Sequence, residues 1–165
     1  MQESFGDPAA ARADREAEGL VDHLTGLLSR PGLLATLPYV KTASAVAVVT
    51  IDRFIHIVEH HGHRAAEQAL REIAEVFRRG RTDDLVARWD DTELVILLPH
   101  TSASGASARL RRLLKEIHDS VHVAGEPISL SAAIADAKVG SDVEAAVAEA
   151  YQVLSRAEPR LVLAG

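Results

Sequence analysis

The side chains best suited to chemistry in this sequence are charged, and they lie between positions 78 and 112. Guanidinium groups donate paired hydrogen bonds to phosphates and to planar acceptors, and carboxylates accept such bonds. Arginines occur in two groups, at 78–81 and at 109–112, and aspartate pairs stand between them at 83–84 and 90–91. Either arginine group, taken alone, is more typical of a solvated helix end or helix face than of a site.

The bulk composition narrows what these charges can bind. The 165 residues carry a formal net charge of −6, which argues against general nucleic-acid binding, so an anionic ligand would need a local basic cluster. The sequence has no cysteine and therefore neither a disulfide framework nor a thiolate metal site. Because no apolar run is long enough to span a bilayer and no secretory signal pattern is present, we expect a cytoplasmic protein without membrane contact.

The length predicts one domain preceded by a short extension. We expect residues 1–7 to be disordered and the stretch from Pro8 to about His23, which is rich in Ala, Arg, Asp and Glu, to form a helical stalk. We therefore divide the chain into a tail and stalk, 1–20, and a domain, 21–165.

Hydrophobic periodicity predicts an alternation of strands and helices in the domain. Pro31-Gly32 breaks the helical pattern, and a short helix is expected from Leu33 to Leu37. A tight turn at Asp90-Asp91-Thr92 is expected to join two strands into a hairpin. This order predicts an α/β fold with a mixed, mostly antiparallel sheet and helices packed on it. The other expected strands and helices are strands at 45–51, 85–89, 93–98, 128–135 and 161–163 and helices at 54–60, 65–77, 102–118 and 142–156.

Short motifs in the same order resemble the GGDEF domain of diguanylate cyclases, from about residue 20 to the end. The sequence DHLTGLLSR at 22–30 resembles the family's opening DxLTGLxNR. Asp52-Arg53-Phe54, followed by Gly62-His63, resembles its strand-to-helix segment. Arg88-Trp89, a two-residue turn and Glu93-Leu94 resemble its signature hairpin. The order and spacing of these motifs are together more specific than any one of them.

The resemblance implies both a fold and a chemistry. The fold is a five-stranded, ferredoxin-like, mostly antiparallel sheet surrounded by helices. Active members of the family bind GTP with two Mg²⁺ ions, and two domains join two GTP molecules into cyclic di-GMP. The metal ions of such phosphoryl transfers are held by carboxylate oxygens and neutralise the developing charge.

The metal-binding positions that the resemblance identifies are mostly replaced. The family's metal acids fall at Thr50 and Thr92, whose hydroxyl groups supply no negative charge. Asp91 does not substitute for Thr92, because neighbouring strand side chains point to opposite faces. Asp52 and Glu93 remain, but two carboxylates are not enough for a two-metal site. We therefore expect no cyclase activity and no Mg²⁺ cofactor.

The positions that hold GTP in the family are also changed. The asparagine and aspartate that contact guanine fall at Val58 and Glu67, and the lysine that supports the triphosphate falls near Leu154. The two signature glycines fall at Asp90 and Asp91, which place negative charge where backbone should approach phosphates. The resemblance therefore indicates a degenerate active site with no catalytic residues.

A second site of the family has its residues in register. Many members carry an inhibitory Arg-x-x-Asp motif five residues before the signature turn, and Arg81 and Asp84 fall at those positions. The family often adds an arginine from the following helix, and Arg112 falls there. An arginine fork fits guanine O6 and N7, and a carboxylate accepts from the guanine N1–H and N2–H groups.

These residues predict a non-catalytic receptor that binds cyclic di-GMP through Arg81, Asp84 and Arg112. The ligand would bridge two such domains, or this domain and a neighbour. Two alternatives stay open: a nucleotide-independent dimerisation or interaction module that regulates a neighbouring domain, and a weak cyclase or GTP-binding regulator that uses Asp52, Glu67 and Glu93. His56 and His60 have the i, i+4 spacing of zinc sites, but a solvated helix face is the simpler interpretation.

Overall fold

The computed structural model describes residues 7–10, 19–80, 83–156 and 161–163. Within these ranges the chain forms short 3-10 helices at Leu37–Tyr39 and Gly140–Asp142, and residues 8–10 are helical. The strands are β1 Leu28–Ser29, β2 Ser44–Ile51, β3 Leu85–Arg88, β4 Glu93–Pro99, β5 His122–Val123, β6 Glu126–Pro127, β7 Leu130–Ala137 and β8 Leu161–Leu163. The longer helices are α1 Arg30–Thr36, α2 Phe54–Arg78, α3 Ala103–Ser120 and α4 Val143–Arg156.

The main sheet has the strand order β1-β3-β4-β2-β7-β8. Its three central pairings, β3 with β4, β4 with β2 and β2 with β7, are antiparallel. The two outer pairings, β1 with β3 and β7 with β8, are parallel. The two-residue β1 adds an edge to a sheet of five longer strands, so the predicted mixed α/β fold is confirmed.

The core lies on both faces of this sheet. Along β2, Ala45, Ala47 and Val49 face one cluster, which contains buried residues of α2 and α3, and Val46 and Val48 face a second cluster with α1 and α4. Successive side chains of a strand point to opposite faces, which explains why a continuous apolar run is needed for a strand covered on both sides. The helices thus form two layers, with the sheet between them.

The predicted N-terminal helix does not extend through residues 19–23. Most of the predicted helix falls at 11–18, outside the described residues, but Gly19 to His23 is not helical. Gly19 adopts a φ of +72°, and Val21 forms an isolated bridge with Leu28. The expectation of a helix to about His23 was therefore wrong, because this segment turns back along β1. The predicted disorder of residues 1–7 falls almost entirely outside the described residues.

Pro31-Gly32 does not interrupt a helix as predicted but begins one. The Ser29 side chain caps α1 by accepting a hydrogen bond from the Gly32 amide at 3.1 Å, and Pro31 suits the first turn because its missing N–H needs no partner there. A Cβ at Gly32 would overlap the Leu20 carbonyl oxygen, so this close approach requires glycine. The helix therefore starts three residues before the predicted Leu33.

The remaining predicted elements lie close to their observed positions. The two helices expected at 54–60 and 65–77 form the two arms of α2, which meet at a non-helical Gly62 with φ 85° and ψ 165°. The small β5–β6 hairpin was not predicted, and it delays β7 by two residues. Among the described residues, no helix is long and apolar enough to cross a membrane.

Candidate functional site

The strand register places the first degenerate metal position opposite one carboxylate. Thr50 of β2 pairs with Glu93 of β4 on one side and with Ser131 of β7 on the other. Directly opposite residues of antiparallel strands share one face of the sheet. Glu93 therefore stands in a row with two hydroxyl side chains, where a divalent-metal site needs more carboxylates.

Asp52, the other acid that the sequence retains, is anchored beside this row. The Ser131 hydroxyl donates a hydrogen bond of 2.6 Å to Asp52 Oδ1, and the Asp52 amide donates to the Ser129 carbonyl at 2.9 Å. Across the described residues, no three His, Cys, Asp or Glu side chains converge in a geometry that would hold a metal ion. The residues present therefore do not fit the two Mg²⁺ ions of an active cyclase.

The hairpin turn is negatively charged and closed by its own contacts. The Asp91 amide donates to the Asp90 carboxylate, and the Arg88 guanidinium donates to the Asp91 carbonyl at 3.1 Å. Burial and the neighbouring Asp90 carboxylate raise the pKa of Glu93, and Arg30 offsets this rise only in part. The turn therefore carries the side chains of Asp90 and Asp91 close to a partly buried Glu93.

The two positions at which the family contacts guanine lie on the two arms of α2. Val58 is half-buried on the first arm, and Glu67 is exposed on the second, where it lies 4.0 Å from Arg71 in an ion pair. Leu154, at the family's lysine position, is buried on α4 in the core cluster of that sheet face. An apolar side chain in that cluster has no charge to offer a triphosphate.

The histidines of the first α2 arm interact with one another. The rings of His56 and His60 stack with centroids 3.9 Å apart, and His60 Nδ1 lies 2.9 Å from the His56 carbonyl oxygen. His56 and His61 also line a cavity of about 330 Å³ beside Asp52 and Ser129. The contact between His60 and a backbone carbonyl is a helix-face arrangement, and it leaves that ring nitrogen unavailable to a metal ion.

Asp84 directly precedes β3, at the end of the strand away from the hairpin turn. It is paired with an arginine that the sequence did not indicate. Arg109 of α3 forms an ion pair with Asp84 in which Nη1 lies 3.4 Å from Oδ1 and Nη2 contacts Oδ2 more closely. The two side chains are only 20% and 10% exposed. A carboxylate and a guanidinium therefore meet in a two-pronged contact that is largely shielded from water.

Arg112 lies three residues further along α3, on the exposed surface. It lines a cavity of about 160 Å³ together with Gly80, Arg109, Leu113 and Glu116. Glu116 is also 3.8 Å from the guanidinium of Arg79. The structure thus brings Asp84 and Arg112 to one region through Arg109. Arg81, the third predicted ligand residue, falls outside the described residues.

Two contacts of this region were missed from the sequence. Arg109 had been noted only as a member of a basic group, although its i, i+3 spacing to Arg112 indicates a common helix face. Arg88 forms an ion pair with Asp22 at 3.3 Å, and Asp22 also accepts a 2.6 Å hydrogen bond from the Thr25 hydroxyl. The contact between Asp22 and Arg88 joins the opening motif to the hairpin. The family resemblance placed both motifs in one domain but did not predict this contact.

Residues 20–160 match the family described as diguanylate cyclase, GGDEF domain. The diguanylate cyclase DgcP of Pseudomonas aeruginosa is 35% identical over 156 residues, which is 88% of this chain and 23% of that protein. Diguanylate cyclase A of Treponema denticola is 30% identical over 108 residues, 64% of this chain and 29% of that protein. The chain therefore spans about a quarter of the length of these relatives.

Solved structures share the fold. The GGDEF domain of FimX from Pseudomonas aeruginosa superposes with a TM-score of 0.73 at 19% identity, covering 87% of this chain and 98% of that one. The coiled coil and GGDEF domain of DgcB from Caulobacter crescentus, in complex with c-di-GMP, gives 0.76 at 24% identity, with 94% and 90% covered. With the family match across most of its length, the chain belongs to the GGDEF family of diguanylate cyclase domains.

Proposed function

We propose that this domain is a non-catalytic receptor for cyclic di-GMP, which it binds through Arg81, Asp84 and Arg112. The observation that carries the proposal is the convergence at α3: Asp84 engages a guanidinium that lines the same cavity as Arg112. A largely shielded carboxylate can read the N1–H and N2–H edge of guanine, and arginines beside it can balance the phosphates.

The residues around the hairpin turn, at the opposite end of β3, support the proposed absence of catalysis. There Thr50 lies between Glu93 and Ser131 in the strand register, and Asp52 already accepts a hydrogen bond from Ser131. The turn that approaches phosphates in active members carries two aspartates here. Neither the metal charge balance nor the phosphate contacts of a cyclase are available from these residues.

A titration tests the binding half of the proposal. Isothermal calorimetry of the purified chain should give a signal with cyclic di-GMP and a much weaker one with GTP or cyclic di-AMP. Arg81→Ala should lower the cyclic di-GMP affinity roughly 10- to 100-fold, because a bidentate guanine contact is worth about 1–3 kcal/mol. Arg71→Ala is the matched control, since Arg71 is exposed on α2 beside Glu67. Equal binding by both variants would remove the proposed site.

An activity assay tests the other half. Incubation of the chain with GTP and Mg²⁺ should give no cyclic di-GMP by chromatography, at protein concentrations high enough for two domains to meet. Product formation would contradict the non-catalytic assignment. A stable dimer in light scattering that gives no heat with any nucleotide would favour an interaction module instead.

A further inference from the structure

The contact between Arg109 and Asp84 has a consequence for the proposed receptor, and the following inference rests on that function. We infer that Arg109 is an internal competitor of the ligand: in the free domain its guanidinium occupies the carboxylate that guanine needs. Ligand binding must then release Arg109 from Asp84. Arg109 thereby sets how tightly Arg81, Asp84 and Arg112 hold the nucleotide.

The geometry shows an occupied acceptor. Both terminal nitrogens of Arg109 are directed at Asp84, Nη1 towards Oδ1 at 3.4 Å and Nη2 towards Oδ2. Asp84 is 10% exposed and Arg109 is 20% exposed. Because little water reaches the pair, salt screens the attraction less than it screens an exposed pair. The carboxylate is therefore not freely available to an incoming base.

The chemistry makes the two partners alternatives. Guanine presents N1–H and N2–H as two donors side by side, and a guanidinium presents the same arrangement of two N–H groups. Each fork uses both oxygens of one carboxylate. Since Arg109 already contacts both oxygens of Asp84, guanine and Arg109 compete for one carboxylate edge.

The neighbouring arginines show that this role is particular to Arg109. Arg111 and Arg112 are exposed on the same helix, and Arg112 lines the cavity beside Gly80. Neither forms an ion pair with a described acidic side chain within 4.0 Å, whereas Arg109 does. Arg109 alone of the three is thus placed to hold the site closed.

If Arg109 competes with the ligand, removing its charge should raise the ligand affinity. If Arg109 only attracts the ligand, removing its charge should lower the affinity. Removing a positive charge near the site of an anionic ligand should weaken binding if the charge only attracts the ligand. Removing a competitor should strengthen binding. The apparent dissociation constant is the intrinsic constant divided by the fraction of molecules in the open state, so a larger open fraction lowers it. If about nine in ten molecules are closed, the wild-type affinity is reduced roughly tenfold.

The test compares two single-charge removals on α3. Arg109→Met keeps most of the apolar stem and removes the guanidinium, and Arg111→Ala is the matched control that removes a charge outside the pair. Cyclic di-GMP is titrated into each folded variant, with circular dichroism as the check on folding, and binding rates are measured by stopped flow. We expect Arg109→Met to bind roughly tenfold more tightly through faster association, and Arg111→Ala to bind equally or more weakly.

The outcomes separate this inference from the proposed function. If wild type binds and Arg109→Met binds equally or more weakly, Arg109 is a structural or attractive residue and the inference fails while the receptor stands. If wild type and both variants give no signal, both fail. Should Arg109→Met not fold, Arg109→Lys keeps a charge but loses the fork, and tighter binding by that variant would support the inference equally.

Discussion

The two ends of β3 carry opposite electrostatic arrangements. At its start, Asp84 is paired with Arg109 from α3, and Arg112 stands nearby. At its other end, Arg88 is paired with Asp22, and the chain then enters a turn that holds Asp90 and Asp91. The strand thus runs from a region of arginines around one largely shielded acid to a region of acids around one largely shielded arginine.

This difference gives the two ends of one hairpin separate electrostatic environments. The turn end carries acidic side chains, and the pKa of Glu93 is raised by its burial and by Asp90. The start of β3 keeps an acceptor and nearby donors. Sites at the two ends share a strand but not a charge balance, so changes at one end need not destroy the other.

The largest effect is expected at the start of β3. Asp84→Ala leaves the Arg109 guanidinium shielded and without its partner, and should lower the free energy of unfolding by about 2–3 kcal/mol. Urea unfolding followed by circular dichroism measures this. Asp83→Ala, which changes an exposed neighbour, is the control and should have little effect. Equal losses in both variants would contradict the special role of Asp84.

A smaller loss in the free energy of unfolding is expected from a change at the turn end of β3. Arg88→Ala removes the 3.3 Å contact with Asp22 and the 3.1 Å contact with the Asp91 carbonyl, and should cost about 1–2 kcal/mol. The effect is smaller because, among the described residues, the buried Nε of Arg88 has no hydrogen-bond partner, which already reduces what this arginine contributes. Chemical unfolding measures the loss. A loss larger than that of Asp84→Ala would reverse the ranking of the two ends.

The charge of the turn should be visible in a pH titration. Glu93 has a raised pKa, so the folded state holds its proton more tightly than the unfolded chain. Its contribution favours folding below its unfolded pKa and is lost as pH rises through the folded pKa. Asp90→Asn should lower the pKa of Glu93, which carboxyl NMR measures directly. An unchanged pKa would leave burial as the cause and remove Asp90 from the account.

The smallest effect concerns Arg30, whose guanidinium lies 4.3 Å from the centroid of the Trp89 ring. Arg30→Ala removes this cation–π contact and should cost about 0.5–1 kcal/mol in unfolding experiments. It should also raise the pKa of Glu93 further, because Arg30 lowers it in the wild type. A lowered pKa of Glu93 in this variant would show that Arg30 does not act on the turn.

Sequence patterns predicted the elements that depend on local periodicity. The apolar run of β2, the hairpin around Asp90 and the two arms of α2 follow from spacing and turn chemistry. The two-residue β1 was not predicted, because a strand that short carries no periodic signal and exists only through its pairing with β3. At Pro31-Gly32 the pattern was misread, since Ser29 caps a helix that those residues begin.

The same limit applies to the site. The spacing of Asp84 to the turn and the position of Arg112 follow from the resemblance, but three arginines of α3 are available to one acid, and sequence does not choose among them. The pairing with Arg109 depends on how α3 lies against β3. The family relationship is confirmed, while the receptor role and the loss of catalysis stay predictions that binding and activity measurements decide.

The close approach at Gly32 lets the chain that enters the domain lie directly against the start of α1. The incoming chain is fastened at Leu20, whose carbonyl accepts from the Ser29 amide at 3.0 Å, and at Asp22, which is tied to Arg88. Gly19, with its positive φ, stands just outside these fastenings and can act as a pivot. Both contacts lead to β3, the first through the pairing of β1 with β3 and the second directly through Arg88. A displacement of the chain at Gly19 would therefore act first on β3.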